Sequence, residues 1–148
     1  MSVYASKRKE SKVEFLRVAQ DLIVYTARQI KKFPKAQRFI FADEILRLSI
    51  EIHDNIMRAN SIYVHKGMSE MEFNMRREHL IKARSAIFSM SSLLTVTLTF
   101  LLEGNNFFGS KEDAAKVFEA WAEYLNKESV LIKAVMASDI ERYRQYTK

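Results

Sequence analysis

Apolar residues recur along most of this chain at steps of three and four, the spacing of one face of a helix. Stretch 33–60 shows it most plainly: Phe41, Ile45, Leu48, Ile52, Ile56 and Ala59 fall on one stripe. It opens with the chain's only proline, Pro34, which fixes its own φ and drives Phe33 out of the α region. One helix should therefore end near Phe33, and the next should start between Ala36 and Phe41 and run to about Asn60. Upstream, Phe15, Ala19, Leu22, Thr26, Ile30 and Phe33 form the stripe of a first helix. Ser11 and Glu14 have the spacing of a capping box, which predicts its start there and leaves 1–10 as a basic arm.

Downstream, 61–68 reads as a connection containing Gly67. Ser69 and Glu72 repeat the capping box and predict a third helix from Glu70, with Leu80, Ala83, Ile87, Met90, Leu94, Leu98 and Leu101 facing inward. Gly104 suits the position just past its end, and 105–109 makes the next loop. Ser110 and Asp113 open a fourth helix carrying Ala114, Phe118, Trp121, Leu125, Ile132 and Val135 on one face. Segment 138–148 reads as its continuation, a short terminal helix or a tail. No strand pattern competes. The predicted fold is all-α: one domain over 1–148, an antiparallel up-down four-helix bundle.

The third helix is apolar on more than its inward side. Ala86, Leu93, Val96 and Phe100 lie roughly opposite the inner stripe, where a lone bundle meets water, and predict burial against another subunit. The uncharged run 86–102 is short for a membrane span and carries six Ser or Thr, so a buried helix is expected and no membrane.

Charge changes the picture next. The net charge of +6 is carried by the first part of the chain: 1–84 holds 17 basic and 10 acidic side chains, 85–148 holds 7 and 8. Lys7, Arg8, Lys9 and Lys12 precede the first stripe. Lys31, Lys32, Lys35 and Arg38 crowd the corner around Pro34, and Arg17 and Arg28 lie between the two groups. Such a distribution suits a polyanionic or acidic partner, although a solvated basic surface has the same composition. Phe39, beside Lys35 and Arg38, could stack bases. There is no cysteine, hence no disulfide framework and no thiol chemistry, which fits a reducing, cytoplasmic setting. No apolar core follows Lys7, Arg8 and Lys9, so no secretory signal is expected.

Catalytic chemistry is sparse. Neither a Glu-x-x-His pair nor two histidines at i, i+4 occurs, and no glycine-rich phosphate loop is present, so no metal and no cofactor are expected. His53 and Asp54 are adjacent and should point about 100° apart on a helix. Arg47 and His53 resemble the Arg-x(4–6)-His signature of the HEPN ribonucleases, which would make the chain a helical ribonuclease acting on RNA.

A second resemblance covers more of the chain. The first helix, then Phe33-Pro34-Lys35, then Phe39-Ile40-Phe41-Ala42-Asp43 running into 48–60, resembles the Avd-like four-helix-bundle proteins, the accessory variability determinants of diversity-generating retroelements. These are similar to the bundle proteins encoded in ribosomal RNA intervening sequences. That branch often carries Asn-Ile-x-Glu-Gly, where this chain has Asn55-Ile56-Met57-Arg58-Ala59, and the basic run 6–11 is closer to the retroelement branch. The resemblance implies a non-enzymatic protein that forms homo-oligomeric rings, described as pentamers. It implies binding to the retroelement reverse transcriptase and to RNA or DNA, in support of mutagenic cDNA synthesis. An oligomeric bundle of the rRNA-insert type, without a polymerase partner, is the alternative within the same kinship.

Overall fold

The computed structural model describes residues 3–147, with side chains from residue 13 onward. Those residues form four helices around one core and contain no strand. Helix α1 spans Val3–Ile30. Helix α2 covers 35–60 in three continuous pieces: a turn over Lys35–Gln37, a π-helical turn over Arg38–Ala42 and a regular α-helix over Asp43–Asn60. Helix α3 spans Glu70–Phe100 and closes in a π-helical turn over Leu101–Asn105. Helix α4 runs unbroken over Lys111–Tyr146.

Two boundaries differ from expectation. The first helix begins at Val3, so the basic arm is helical and Ser11 lies inside the helix and not at its start. The Ser-x-x-Glu spacing is short and nonspecific, and a single Ser costs only roughly a few tenths of a kcal/mol in a helix interior. At the other end, 138–146 belongs to α4. Asp139 explains the continuation. Arg76 of α3 donates to both of its carboxylate oxygens, at 2.7 and 3.1 Å, and its remaining nitrogen caps the carbonyls of Ala59 and Ile62 at 2.9 Å each. One buried guanidinium thus closes the end of α2, the following loop and the last turns of α4. Phe73 stacks on Tyr143 at 4.2 Å above Val64 and Met68, a small satellite core beneath the same loop.

The remaining starts are as the sequence predicts. The Ser69 hydroxyl accepts from the Glu72 amide at 3.1 Å. Ser110 and Asp113 exchange both bonds of a capping box, at 3.0 and 3.1 Å. These contacts satisfy amides that a helix start leaves without intrahelical acceptors.

The inner stripes meet in a core built on Leu22, Ile45, Ile52, Ile56, Leu80, Met90, Trp121, Leu125 and Ile132, all essentially inaccessible. Trp121 sits deep in it, donating its indole N–H to the Thr26 hydroxyl at 3.0 Å. Tyr25 crosses its ring edge-on at 5.5 Å and donates to the Val117 carbonyl at 2.6 Å. Burial raises the Tyr25 phenol to about 12.

By length and composition α3, taken over Glu70–Asn105, is apolar enough to cross a membrane, and 33% of its most apolar window is buried in the bundle. Its hydroxyls bond to its own backbone one turn earlier: Thr95 to Ser91, Thr97 to Leu93 and Thr99 to Thr95. That internal satisfaction lets a Ser/Thr-rich segment pack like an apolar one.

Candidate functional site

The corner between α1 and α2 is held rigidly from below. Phe33 is 1% exposed and lies 4.6 Å from the Phe107 ring and 5.8 Å from that of Phe108. Phe108 meets Phe118 at 6.0 Å, and Phe118 meets Trp121 at 5.0 Å. An aromatic column therefore descends from the corner into the core. Pro34, its φ of -60° fixed by the ring, takes an extended ψ of 155° as the residue that caps the start of α2 and so separates it from α1. The Arg38 Nε–H donates to the Phe33 carbonyl at 3.2 Å, tying the start of α2 back to the turn.

The π-helical turn decides what the corner shows to solvent. A π turn adds one residue to a helical repeat, and such turns are frequent at functional sites. Here Phe41 and Ala42 face inward, Phe41 packing on Phe100 at 5.2 Å. Residues 38–40 all face out, leaving Phe39 80% and Ile40 60% exposed beside each other.

The cations here have no carboxylate beside them in sequence. Stretch 28–42 contains Arg28, Lys31, Lys32, Lys35 and Arg38 and no acidic residue. Among the described residues none of these joins an ion pair, whereas Arg17, Arg47, Lys82, Lys127 and Arg144 do. Lys32 Nζ stands 5.8 Å from the Phe108 ring centroid, a cation–π contact that leaves its charge available.

The other predicted basic residues do not all join this corner. The backbones of Lys7, Arg8, Lys9 and Lys12 lie in α1, and their side chains fall outside the described residues. Arg17 and Arg28 are exposed on nearly the same side of α1, about 16 Å apart along its axis. Asp21 and Val24 lie between them on that side, and Glu14 is within 4.0 Å of Arg17. Glu14, beside Arg17, and Asp21, between Arg17 and the corner, therefore dilute the positive charge along α1.

The predicted interface on α3 is also redrawn. Ala86 is buried in the core, because it lies three residues after Ala83 and four before Met90 and shares their stripe. Leu93 and Phe100 are half-buried against the core, and Val96 is 54% exposed. Phe88, 79% exposed and not predicted, is the largest apolar group on the outer side. Its signal was its place two residues before Met90, about 200° around the helix.

Arg47 and His53 are not brought together. They are six residues apart, about 120° around the α2 axis. Arg47 is clamped by Glu44 and Glu51, which hold its guanidinium firmly protonated, while Glu44 is held below the usual carboxylate range. His53 Nδ1 lies 3.2 Å from Asp54 Oδ1, contrary to the sequence expectation that adjacent residues diverge. A short carboxylate can swing back over one helical step even when the Cα–Cβ bonds point apart. His79 Nδ1 meets the Asn55 amide oxygen at 3.2 Å. Among the described residues no group of His, Asp and Glu could hold a metal ion. A cleft lined by Phe73, Arg77, Leu80, Met136, Asp139 and Ile140 is too small for a substrate-sized ligand.

One titratable group was missed altogether. Glu128 faces the core between Leu125 and Ile132, fully buried, and neither carboxylate oxygen has a hydrogen-bond partner. Burial, with the nearby Glu14 charge adding to it, pushes its carboxyl up to about 8. The signal was a glutamate three residues beyond Leu125 and four before Ile132, on the inner stripe itself.

No protein-family model, curated protein or solved structure matches this chain at a significant level.

Proposed function

We propose that the protein is a non-enzymatic accessory scaffold that binds nucleic acid through the corner at Lys31, Lys32, Lys35 and Arg38 and presents it to a reverse transcriptase. The observation that carries the binding is a set of cations that join no ion pair among the described residues, on a braced turn in a stretch without acidic residues. Polyphosphate recognition needs charges that are not already neutralised, held where a backbone can reach them. The polymerase partner and the retroelement setting rest on the resemblance to Avd-like proteins.

The same reading has the four helices running up-down and antiparallel. In support, Glu14 of α1 meets Lys127 of α4 and Thr26 meets Trp121, pairs whose numbers rise along one helix as they fall along the other. Between α2 and α3, Phe41 meets Phe100 and Asn55 meets His79 in the same sense. The scaffold assembles as a homo-oligomeric ring, a pentamer by resemblance, through the outer face of α3 at Phe88 and Val96 with the edges of Leu93 and Phe100. Its action is in the cytoplasm.

Replacing Lys31, Lys32, Lys35 and Arg38 together by Gln tests the binding. Affinity for RNA or DNA should fall, and the dependence of log affinity on log salt should flatten, with helical content unchanged. Unchanged binding at matched salt would overturn the role of the corner. Co-purification with a reverse transcriptase encoded beside the gene tests the partner.

A further inference from the structure

We infer that Phe39 is a stacking platform for an unpaired base, so that the corner selects single-stranded over duplex nucleic acid. The inference rests on the nucleic-acid reading above and adds the substrate class. Its starting point is a cost that the core does not explain. A phenyl ring 80% exposed, next to an isoleucine 60% exposed, leaves apolar surface in water. Neither side chain braces the turn, since Phe33, Phe41 and the Arg38 bond already do so.

The π-helical turn is what exposes them. With Phe41 and Ala42 inward, the turn places Arg38, Phe39 and Ile40 on the outside in succession. Arg38 adjoins the ring in sequence, and Lys35 precedes it by four residues on the same short helical run. An exposed aromatic face flanked by cations is what single strands require: bases stack on the ring while phosphates follow the charges. A duplex keeps its bases stacked on one another and offers the ring nothing but its backbone. Ile40 supplies an apolar shoulder beside the ring that helps exclude water from a stacked base.

The same residues could be read as a membrane wedge, but the apolar area is too small. An interfacial helix buries a whole apolar face along several turns. Here the large apolar side chains exposed in 34–40 are Phe39 and Ile40, with only the small Pro34 and Ala36 beside them. Charge without sufficient apolar area favours a polyanion that brings its own aromatic rings.

The test is equilibrium binding of full-length protein to an oligo(dT), to a mixed-sequence single-stranded RNA and to a duplex of equal length, at one salt concentration. Wild type should bind the single strands more tightly than the duplex. Phe39→Ala should weaken single-strand binding by about tenfold and leave duplex binding unchanged. Phe39→Leu, which keeps apolar bulk without a ring, should behave like Phe39→Ala, and Phe39→Trp should restore binding. The chain's one tryptophan is buried, so an indole at position 39 would be the exposed emitter, and oligo(dT) should quench it.

Equal losses on single strand and duplex, or full activity of Phe39→Leu, would overturn stacking while leaving the basic corner intact. Absence of nucleic-acid binding in wild type would overturn both readings. Binding only to vesicles containing phosphatidylserine would replace them with a membrane site. Phe39 is largely in solvent, so these substitutions should leave the circular dichroism spectrum unchanged.

Discussion

Glu128 is the residue at which this fold and its sequence are most at odds. An ionised carboxylate without a partner is strongly disfavoured inside a protein, so the group stays protonated into the neutral range. Its ordinary value is 4.5, and the folded protein moves it to about 8. The folded state therefore holds a proton that the unfolded chain has released. Stability is fully present below the unfolded value and falls as pH rises toward the folded one. The loss is on the order of a few kcal/mol. Urea midpoints measured between about pH 5 and about pH 8 should fall in wild type and stay nearly level in Glu128→Gln. Glu128→Leu should raise the midpoint most at the alkaline end. The lowered carboxylates of Glu14, Glu44 and Asp113 work in the opposite sense: what they contribute is lost in acid, below their ordinary range, outside this window.

At the scale of the element, the ends of the helices carry the information. The start of α4 joins a capping box to the glycine before it. Gly109 has φ +105°, in the left-handed region, and a Cβ there would lie 2.7 Å from the Asp113 carboxylate oxygen. Gly109→Ala should therefore strain the backbone and disturb the carboxylate that accepts from the Ser110 amide. A loss of about 1–2 kcal/mol is expected in chemical denaturation. Ser110→Ala should lose about 1 kcal/mol by removing the cap alone. The two effects should combine less than additively, because both act through Asp113. Phe107 and Phe108 sit in the same loop against Phe33, so a weakened α4 start should also loosen the corner. Nucleic-acid affinity of Gly109→Ala offers a second readout.

Across the whole molecule, the two ends of the bundle differ in character. One is closed by the buried Arg76–Asp139 pair and its satellite core. The other presents the basic corner on its aromatic column. Between them α3 shows Phe88 and Val96 to the outside. If a neighbouring subunit covers this face, wild-type protein should scatter light as an assembly of several subunits at micromolar concentration. Phe88→Glu with Val96→Glu should yield a monomer with the same helical content, since neither side chain enters the core. Ala86→Glu should instead unfold the protein, because Ala86 lies inside. Multiplying a weak phosphate site around a ring would raise its avidity for a long strand, so the monomeric variant should lose affinity for long RNA more than for short.

Much of this architecture lay open in the amino-acid order. Periodicity found four helices, the hydroxyl–carboxylate pairs found the starts of α3 and α4, and Pro34 found the corner, because each depends on neighbours a few residues apart. The clustering of Lys31, Lys32, Lys35 and Arg38 was visible for the same reason. What only the tertiary structure decided involves distance along the chain or a choice between faces. Arg76 and Asp139 are 63 positions apart, and nothing local signals that one closes on the other. Ala86 belongs to the core and Phe88 to the surface, which the spacing to Ala83 and Met90 already implies, but how far Leu93 and Phe100 turn inward is set by the rotation of α3 against its neighbours. The π-helical turn that exposes Phe39 inserts one residue between two packing registers, and those registers exist only once α1 and α3 are in place. Glu128 shows the same limit from the other side: the helix period put it inward, while charge argued for solvent, and packing on both sides of it settled the conflict.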